Sequence, residues 1–491
     1  MRRLKFIFVL SLIVAVLCFT VACNDDSGTQ KPDNPDASGP VGDDGTGGII
    51  NNPDISDGDG SGETDFEEAP NSDGVLLYSL NKDSSSYSVS GLTSSSTSTI
   101  EIPETFNSKP VTAIGAGAFR LSRITEVVIG ANVRTVGDRA FSLCYDLASV
   151  SFAPGSALNE IGDKAFYCCE SLNGISIPDG VTSLGAECFA GAGSLCEIDF
   201  PAAIRYVGEN AMADTAWFIN ADPGVVYIGT VAYGYKHVPE VTKLTLLFDE
   251  GTTAVADGAF YGDEIIVEIR IPASVTHIGY RAFAACKNLI TVTVDKLNPA
   301  YYSEDNALVE RETLTLLKGT DAVPEGVKAI GDYAFAFSSA LTEVKLPADV
   351  EKIGVSAFEG AENLVSFVLN DAVTEIPDGA FRDAVKLSSF AVLKGVSRIA
   401  GTAFSGCTAL KTVYLNSPAV ITEAKMSTSV GHLLEHADKV FVGETAFSDD
   451  AGDPIKDYDE KDAHPYVTAF FEKESVSSAD GYFEWTRKEV N

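Results

Sequence analysis

Residues 341–358 read LTEVKLPADVEKIGVSAF, and this stretch contains every part of a pattern that recurs along most of the chain. A Leu opens the stretch, two apolar residues follow in alternation, a Pro comes next, and the stretch ends on I-G-x-x-A-F. The last position of the pattern falls at Phe119, Phe141, Phe166, Phe189, Met212, Phe260, Phe283, Phe335, Phe358, Phe381 and Phe404. The usual step is 23 residues, and two gaps of 48 and 52 residues each have the length of about two units. A fixed period of this length predicts a solenoid, in which stacked units bury one continuous core.

Each part of the repeat has a physical interpretation. The alternation of Val344 and Leu346 with polar residues predicts a short strand with one buried face. Pro347 ends that strand because it lacks a backbone N–H. The glycine, here Gly354, predicts a tight corner, and the small residue before the Phe leaves room for the rings to stack. Counting units by the Phe position and the two gaps, we expect about twelve coils.

The two long gaps contain the segments Trp217–Tyr235 and Asn298–Leu317. Each segment predicts a β-hairpin with a Gly or Asn turn that replaces part of a coil. Aromatic side chains concentrate there and are our candidates for an exposed ligand-binding face, since aromatics anchor interfaces and stack on sugars. These candidates are Trp217, Tyr233, Tyr235, Tyr301 and Tyr302. The alternative is that these rings cap the neighbouring coils.

The motif L-x-x-V-x-I-P followed by V-x-x-I-G-x-x-A-F resembles the BspA-like leucine-rich repeats of bacterial surface proteins, over roughly residues 75 to 445. The resemblance implies a β-rich leucine-rich-repeat solenoid with a C-terminal cap. It also implies a surface adhesin or binding scaffold for host matrix proteins, mucosal glycoproteins or other cells. Glycan capture and a structural role in a surface layer are the alternatives.

The N-terminus has the form of a secretory leader. Basic residues precede an apolar run from Leu4 to Phe19, and Thr20-Val21-Ala22-Cys23 follows. This resembles a lipoprotein signal, with Cys23 as the lipid attachment residue. Acidic residues directly after Cys23 resemble the export signal that places Bacteroidetes lipoproteins on the outer face of the outer membrane. We therefore expect a lipid-anchored cell-surface protein whose only membrane contact is the lipid.

These features divide the chain into five parts. They are a signal peptide (1–22), an acidic Gly/Asp-rich flexible tether (23–66), N-terminal capping strands (67–110), the solenoid (111–447) and a C-terminal cap (448–491).

The composition restricts the class of partner. The formal net charge is −35 over 491 residues. Nucleic acid is an unsuitable partner because its phosphates need a basic surface. An extracellular protein, glycoprotein or glycan is compatible with this charge.

The cysteines predict a buried column rather than a disulfide framework. Cys144, Cys169, Cys286 and Cys407 all stand three residues after the Phe of their coil. Regular spacing of this kind is typical of a small-residue ladder in the core. A bridge between Cys144 and Cys169, or involving Cys168, is the alternative.

Two motifs resemble metal sites. Residues 57–68 match the spacing of an EF-hand loop, with candidate calcium ligands Asp57, Asp59, Asp65 and Glu68. The aliphatic position of that loop is Thr64 and no flanking helix is evident, so we interpret the match as a product of the acidic tether.

The second motif is His432-Leu-Leu-Glu435-His436, which matches the inverted zinc-protease signature H-x-x-E-H. A third ligand would have to come from Glu460, Glu472, Glu474 or Glu484. We favour an amphipathic helix over Ile421–Lys439 that turns Leu433, Leu434 and Ala437 inward, followed by a strand at Val440–Val442. We therefore expect neither an enzyme nor a cofactor.

The residues between the buried strand positions form a predicted exposed face. They include Ser149 and Ser151, Glu197 and Asp199, and Glu343 and Lys345. A flat surface of this kind can bind a protein or hydrogen-bond a glycan, and the alternative is an inert exposed face.

Overall fold

The computed structural model describes residues 71–416, 433–443, 471–477 and 482–487. Over these residues the chain forms a β-solenoid of about 15 turns with almost no helix. The number of turns exceeds the expected twelve because coils without the full I-G-x-x-A-F motif also join the stack. The strand Tyr87–Leu92, which stands before the first full motif, is an example, since it pairs in parallel with Lys109–Ile114 of the next coil.

The strands before the first long gap are β1 Leu76–Leu80, β2 Tyr87–Leu92, β3 Thr99–Ile102, β4 Thr105–Phe106, β5 Lys109–Ile114, β6 Glu126–Ile129, β7 Thr135–Val136, β8 Ser149–Phe152, β9 Glu160–Ile161, β10 Gly174–Ser176, β11 Ser183–Leu184, β12 Glu197–Asp199 and β13 Tyr206–Val207. The middle part contains α1 Ala216–Ile219, β14 Gly224–Ile228, β15 Val231–Lys236, β16 Leu244–Leu247, β17 Ala254–Val255, β18 Ile266–Ile271, β19 His277–Ile278 and β20 Thr291–Val294. The remainder contains β21 Tyr301–Glu304, β22 Ala307–Glu310, β23 Thr315–Lys318, β24 Ala329–Ile330, β25 Glu343–Lys345, β26 Lys352–Ile353, β27 Ser366–Val368, β28 Glu375–Ile376, β29 Ser389–Val392, β30 Arg398–Ile399, β31 Thr412–Leu415, β32 Lys439–Gly443, β33 Phe471–Ser477 and β34 Tyr482–Arg487.

The strands after each Leu form the first side of the solenoid. They pair in parallel with equivalent residues opposite one another, as Val127 does with Val150 and Phe390 with Val413. We call their solvent side the strand face, and it belongs to β3, β6, β8, β10, β12, β16, β18, β20, β25, β27, β29 and β31. The predicted alternation is confirmed, because Ser149 and Ser151 are exposed while Val150 between them is buried.

The two-residue strands before each glycine form a second parallel ladder. It runs through β5, β7, β9, β11 and β13, and resumes in β17 and β19, in β24 and β26, and in β28 and β30. Apolar residues stack along it, as Val136 on Ile114 and Ile161 on Val136.

The Phe residues form a column inside the third side. Phe141 and Phe166 stack with centroids 5.1 Å apart, and Phe358 and Phe381 with centroids 5.4 Å apart. Their backbones form a further ladder, in which the N–H of Phe141 donates to Ala165 O at 2.7 Å. The expected stacking of the rings is therefore confirmed.

The glycine before each Phe has a different role from the predicted corner. The backbone is not left-handed at Gly162, Gly185 or Gly354. The chain enters the left-handed region two residues later, as at Lys164 (φ 55°). A Cβ added at Gly185 would lie 2.5 Å from the backbone N of Asp163 in the preceding coil. Glycine stands here because the backbones of adjacent coils approach too closely for a side chain.

The predicted column of cysteines is confirmed for the four residues that share one repeat position. Cys144 Sγ donates to Phe119 O at 2.9 Å, and Cys407 Sγ donates to Phe381 O at 3.0 Å. All seven cysteines of the described residues are free thiols. Burial raises the pKa of Cys407 to about 12, so the thiol stays protonated at neutral pH and reacts poorly.

Both predicted hairpins are confirmed. β14 and β15 pair antiparallel in the first interruption, and β21 and β22 do so in the second. Two features were not predicted: Trp217 lies in α1, before the first hairpin, and β23 extends the second hairpin to three strands. β15 and β23 join the second ladder on the C-terminal side of each interruption, by pairing in parallel with β17 and β24.

The C-terminal part is described only in pieces. Leu433, Leu434 and Ala437 are buried, as expected, and β32 contains the predicted strand Val440–Val442. Most of the predicted helix lies outside the described residues. β34 pairs antiparallel with β32 and with β33, so a strand of the reverse direction covers the edge of β32.

Candidate ligand-binding groove on the strand face

A groove of 1140 Å³ crosses β8, β10 and β12 on the strand face. The turns that follow these strands, including Gly155 and Asp179, form one wall. Trp217 of α1 lines the groove beside β12. The parallel register of β10 and β12 places the same repeat positions of two coils side by side here, so the groove is a consequence of the repeat.

The groove is polar and acidic. Ser151, Ser176, Asp179, Glu197 and Asp199 line it. All lining residues lie within the described range 71–416, and none of them is Lys or Arg. Ser176 Oγ donates to Asp199 Oδ2 at 2.7 Å, which fixes one carboxylate across two coils. The charge pattern is suited to a neutral or basic ligand.

The core is less well covered at β12 than elsewhere. Ile198 is half-buried, whereas Ile175 at the equivalent position of the preceding coil is only 5% exposed. Phe200 is also half-buried and meets Trp217 edge-on with centroids 5.2 Å apart. The N–H of Trp217 donates to Leu195 O at 2.7 Å, which holds α1 at the start of β12.

The groove ends where the sheet ends. Among the described strands, β12 pairs only with β10, and the next strand of this face, β16, begins a separate sheet with β18 and β20. The break follows from the first interruption, since β14 and β15 form a hairpin that pairs with β17 of the second ladder and adds no strand beside β12.

A family model described as a BspA type leucine rich repeat region matches six copies, over residues 112–236, 227–308 and 321–428. The chain belongs to the BspA-type leucine-rich repeat family. Proteins of this family are typically found at the cell surface, and leucine-rich repeat proteins are typically non-enzymatic binding scaffolds. No curated protein matches the chain.

Three solved structures illustrate the range of similarity. A leucine rich cell surface protein from Faecalibacterium prausnitzii is 23% identical, with 80% of this chain and 99% of that chain covered and a TM-score of 0.41. The pneumococcal vaccine antigen PcpA is 18% identical, with 70% and 80% covered and a TM-score of 0.35. A leucine-rich repeat protein from Bacteroides capillosus is 25% identical, with 27% and 98% covered and a TM-score of 0.25.

Two of the five aromatic candidates of this BspA-type protein are buried, so the expectation that they are exposed is wrong. Tyr233 is 6% exposed and its hydroxyl accepts the N–H of Met212 at 2.8 Å. Tyr301 is 3% exposed and its hydroxyl accepts the N–H of Ile278 at 2.9 Å. Burial raises the pKa of both phenols. Both residues instead cap neighbouring coils, which was the alternative, because each hydroxyl accepts a hydrogen bond from a backbone N–H of a neighbouring coil.

The other three aromatics are half-buried and lie at different places. Trp217 lines the groove, while Tyr235 packs edge-on against His237 with centroids 5.4 Å apart. Tyr302 belongs to the second interruption, where the guanidinium of Arg311 lies 5.2 Å from its ring centroid. Only Trp217 therefore combines with the polar strand residues into one site.

The metal candidates fall largely outside the described residues. Cys23, the tether residues Asp57, Asp59, Asp65 and Glu68, the motif residue His432 and Glu460 all lie there. His436 is half-buried, with Nε2 3.9 Å from Glu435 Oε1. In the part of the chain that the structure describes, no three His, Cys, Asp or Glu side chains form a metal-binding group.

The groove itself was not predicted from the sequence. Glu197 and Asp199 were recognised as exposed strand positions, but their place at a sheet edge was not. The 48-residue gap after Met212 is the signal that locates the edge, because it places the first interruption directly after the coil of β12.

Proposed function

We propose that this protein is a cell-surface adhesin or binding scaffold that holds an extracellular protein or glycoprotein on its strand face. The observation that supports this most directly is the groove across β8, β10 and β12. It combines exposed carboxylates, half-exposed apolar side chains and a tryptophan at one end, which is the composition of protein-binding surfaces.

The charge of the chain supports the choice of partner. With a net charge of −35 and an acidic groove, the protein attracts basic surfaces, does not repel neutral ones, and repels nucleic acid. No cofactor and no catalytic step are part of the proposal.

We propose that Cys23 carries a lipid that anchors the protein at the outer face of a bacterial outer membrane. The support is the leader sequence before Cys23 and the acidic residues after it. Within the described residues, no helix is long and apolar enough to span a membrane. Cys23→Ala should move the protein from the membrane fraction to the soluble fraction, and retention in the membrane fraction would contradict lipid anchoring.

Glycan capture is the second candidate function, and Trp217 is the observation that favours it. Aromatic rings stack on sugars, and the hydroxyls of Ser151 and Ser176 lie in the same groove. A glycan ligand should lose affinity when Trp217 becomes Ala, whereas Tyr235→Ala, a matched change outside the groove, should leave the affinity unchanged.

The deciding experiment is a binding screen of the purified protein against arrays of matrix proteins and glycans, in calcium and in chelator. A saturable protein ligand supports adhesion, and sensitivity to chelator shows a cation at the interface. A hit confined to glycans moves the function to glycan capture. No hit on either array, together with self-association of the protein, favours a structural role in a surface layer.

A further inference from the structure

The open edge of β12 is the feature that the proposed function leaves unexplained. Inside a sheet of the strand face each strand has a neighbour on both sides, as β27 lies between β25 and β29. β12 has a described neighbour on one side only. An unpaired strand edge presents backbone donors and acceptors to any extended chain that reaches it.

The hydrogen bonds of β12 show which backbone groups are directed outward. The N–H of Glu197 reaches Asn173 O at 3.3 Å, and Asp199 O accepts the N–H of Ile177 at 3.0 Å, so both residues point toward the β10 side. Successive residues of a strand direct their backbone groups to opposite edges. The N–H and C=O of Ile198 therefore point to the open side, away from β10.

Side chains around this edge have the chemistry of a peptide site. Ile198 and Phe200 are half-exposed, so apolar surface is available beside the unpaired backbone. Glu197 and Asp199 are exposed on either side of Ile198. Within the described residues, no Lys or Arg lines the groove. These carboxylates therefore favour a basic segment.

We propose that the edge of β12 binds an extended basic segment of the partner polypeptide as an added strand, in the place that a regular coil would fill. β10 and β12 pair over only three residues each, so a segment of similar length reproduces the interaction between adjacent coils. Main-chain hydrogen bonds give such binding its affinity, and alternate side chains give it specificity. This inference rests on the proposal that the ligand is a protein.

The test uses a fluorescent peptide of four Lys-Val repeats and measures its affinity for the purified protein by anisotropy. Two control peptides accompany it: four Glu-Val repeats, and the Lys-Val peptide with alternate backbone amides methylated. We expect saturable binding of the first peptide only. Equal binding of the methylated peptide would overturn strand addition, because methylation removes the donors that a strand needs.

Two matched variants locate the site. Glu197→Lys should weaken the peptide by about tenfold, because it replaces attraction at the edge by repulsion. Glu126→Lys makes the same charge change at the equivalent residue of β6, which has a strand on both sides, and should leave the affinity within about twofold. Equal weakening by the two variants would show that only the net charge matters, and would contradict a site at β12.

The remaining outcomes separate this inference from the proposed function. Absence of peptide binding, or binding of cellohexaose in the groove in its place, overturns strand addition. If a protein ligand from the array binds Glu197→Lys as tightly as the unchanged protein, the adhesin proposal stands and the β12 site is wrong. If no protein on the array binds but the peptide still binds at β12, the β12 site is supported and the proposed function is wrong.

Discussion

The two interruptions of the solenoid break the same column of Phe rings and fill the gap with opposite chemistry. In the first, Tyr233 lies in the core and meets Phe218 edge-on with centroids 5.3 Å apart. In regular coils the N–H at the Phe position donates to the next coil's backbone, and here the N–H of Met212 donates to the Tyr233 hydroxyl. The first gap is therefore filled by a large side chain whose polar atom has a partner.

The second interruption is filled by a charge. The N–H of Gly319 donates to Ala334 O at 2.9 Å, as that of Phe335 does to Ala357 O, so Gly319 stands in the Phe position of the ladder. A Cβ at Gly319 would lie 2.1 Å from the Phe335 ring, so no side chain fits there. Lys318 is buried instead, and its Nζ has no hydrogen-bond partner within the described residues.

A second cation, Arg281, differs from Lys318 because its Nη1 lies 3.8 Å from Glu209 Oε2. The guanidinium of Arg281 is held between the rings of Tyr261 and Tyr333, at 4.3 and 4.5 Å from their centroids. Its Nε is buried and also lacks a partner; these two are the only such side-chain atoms in the described part of the chain. The first insertion therefore costs little folding free energy. The second places the unpaired charge of Lys318 in the core, and burying an unpaired ion is unfavourable.

The largest expected loss of stability comes from a substitution in the column of Phe rings in the regular coils. This loss is the reference against which both interruptions are compared. Phe358→Ala should destabilise the protein by about 3 to 5 kcal/mol, because the ring is fully buried between two neighbours. Urea unfolding followed by circular dichroism measures this. Phe337→Ala, at a ring that is 40% exposed in the neighbouring coil, should cost less than about 1 kcal/mol. Equal losses would mean that the column is not the main source of stability.

Lys318→Met should stabilise the protein, in contrast to almost any other core substitution. Burial lowers the pKa of Lys318 to about 8, from an ordinary value of 10.5. Removing that penalty is worth about 3 kcal/mol at pH 7, while the methionine keeps the aliphatic packing. The urea midpoint should rise. Lys345→Met, at an exposed lysine of β25, should change it little, and a Lys318→Met protein of lower stability would show that the amine has a partner in solution.

The cost of burying the Lys318 charge should also make the free energy of unfolding depend on pH. Because the folded pKa of Lys318 lies below the unfolded value, the unfolded chain binds more protons between about pH 8 and pH 10.5. The penalty is complete below pH 8 and disappears as the pH rises through this window. Cys286 faces Lys318, and burial raises the pKa of this thiol to about 12, which lowers stability at high pH and opposes the gain.

The measurement is therefore a difference between two proteins. The free energy of unfolding of Lys318→Met minus that of the unchanged protein should be largest at pH 7 and should approach zero near pH 10.5. The thiols and phenols that do not contact Lys318 titrate alike in both proteins and cancel, whereas the charge of Lys318 also acts on Cys286. A difference that does not vary with pH would mean that the gain comes from packing and not from the charge.

The sequence predicted the repeated parts of this molecule because identical positions in neighbouring coils share one environment. The buried Leu, the alternating strand and the Phe column follow from period alone, and so do the hairpins, whose position is given by the gaps. Exposure of Tyr233 and Tyr301 was predicted wrongly because an insertion has no register from which to infer which side is inward. The role of Gly354 was misassigned for a related reason. Its conformation could be inferred from its own coil, but the close approach of the backbone of the preceding coil could not.

The candidate groove shows the same limit. Its residues Ser151, Glu197 and Asp199 were placed on the exposed face by the period-two pattern. The edge at β12 depends on where the chain goes after Met212, and local propensity does not specify that. The tryptophan that completes the groove was expected in a hairpin and stands in a helix that Thr215 caps through the N–H of Phe218.

The smallest expected effects test whether the first interruption is stabilised by its hydroxyl. Tyr233→Phe should cost about 1 to 3 kcal/mol, because it leaves the N–H of Met212 without a partner in a fully buried place. Tyr301→Phe removes the equivalent bond to the N–H of Ile278, but Ile278 is only half-buried. Water can replace the lost acceptor there, so the cost should stay below about 1 kcal/mol. Urea midpoints of the two variants measure the contrast. If Tyr233→Phe is no more costly than Tyr301→Phe, the ring alone fills the first gap, and the two interruptions differ only in the charge that Lys318 brings to the second.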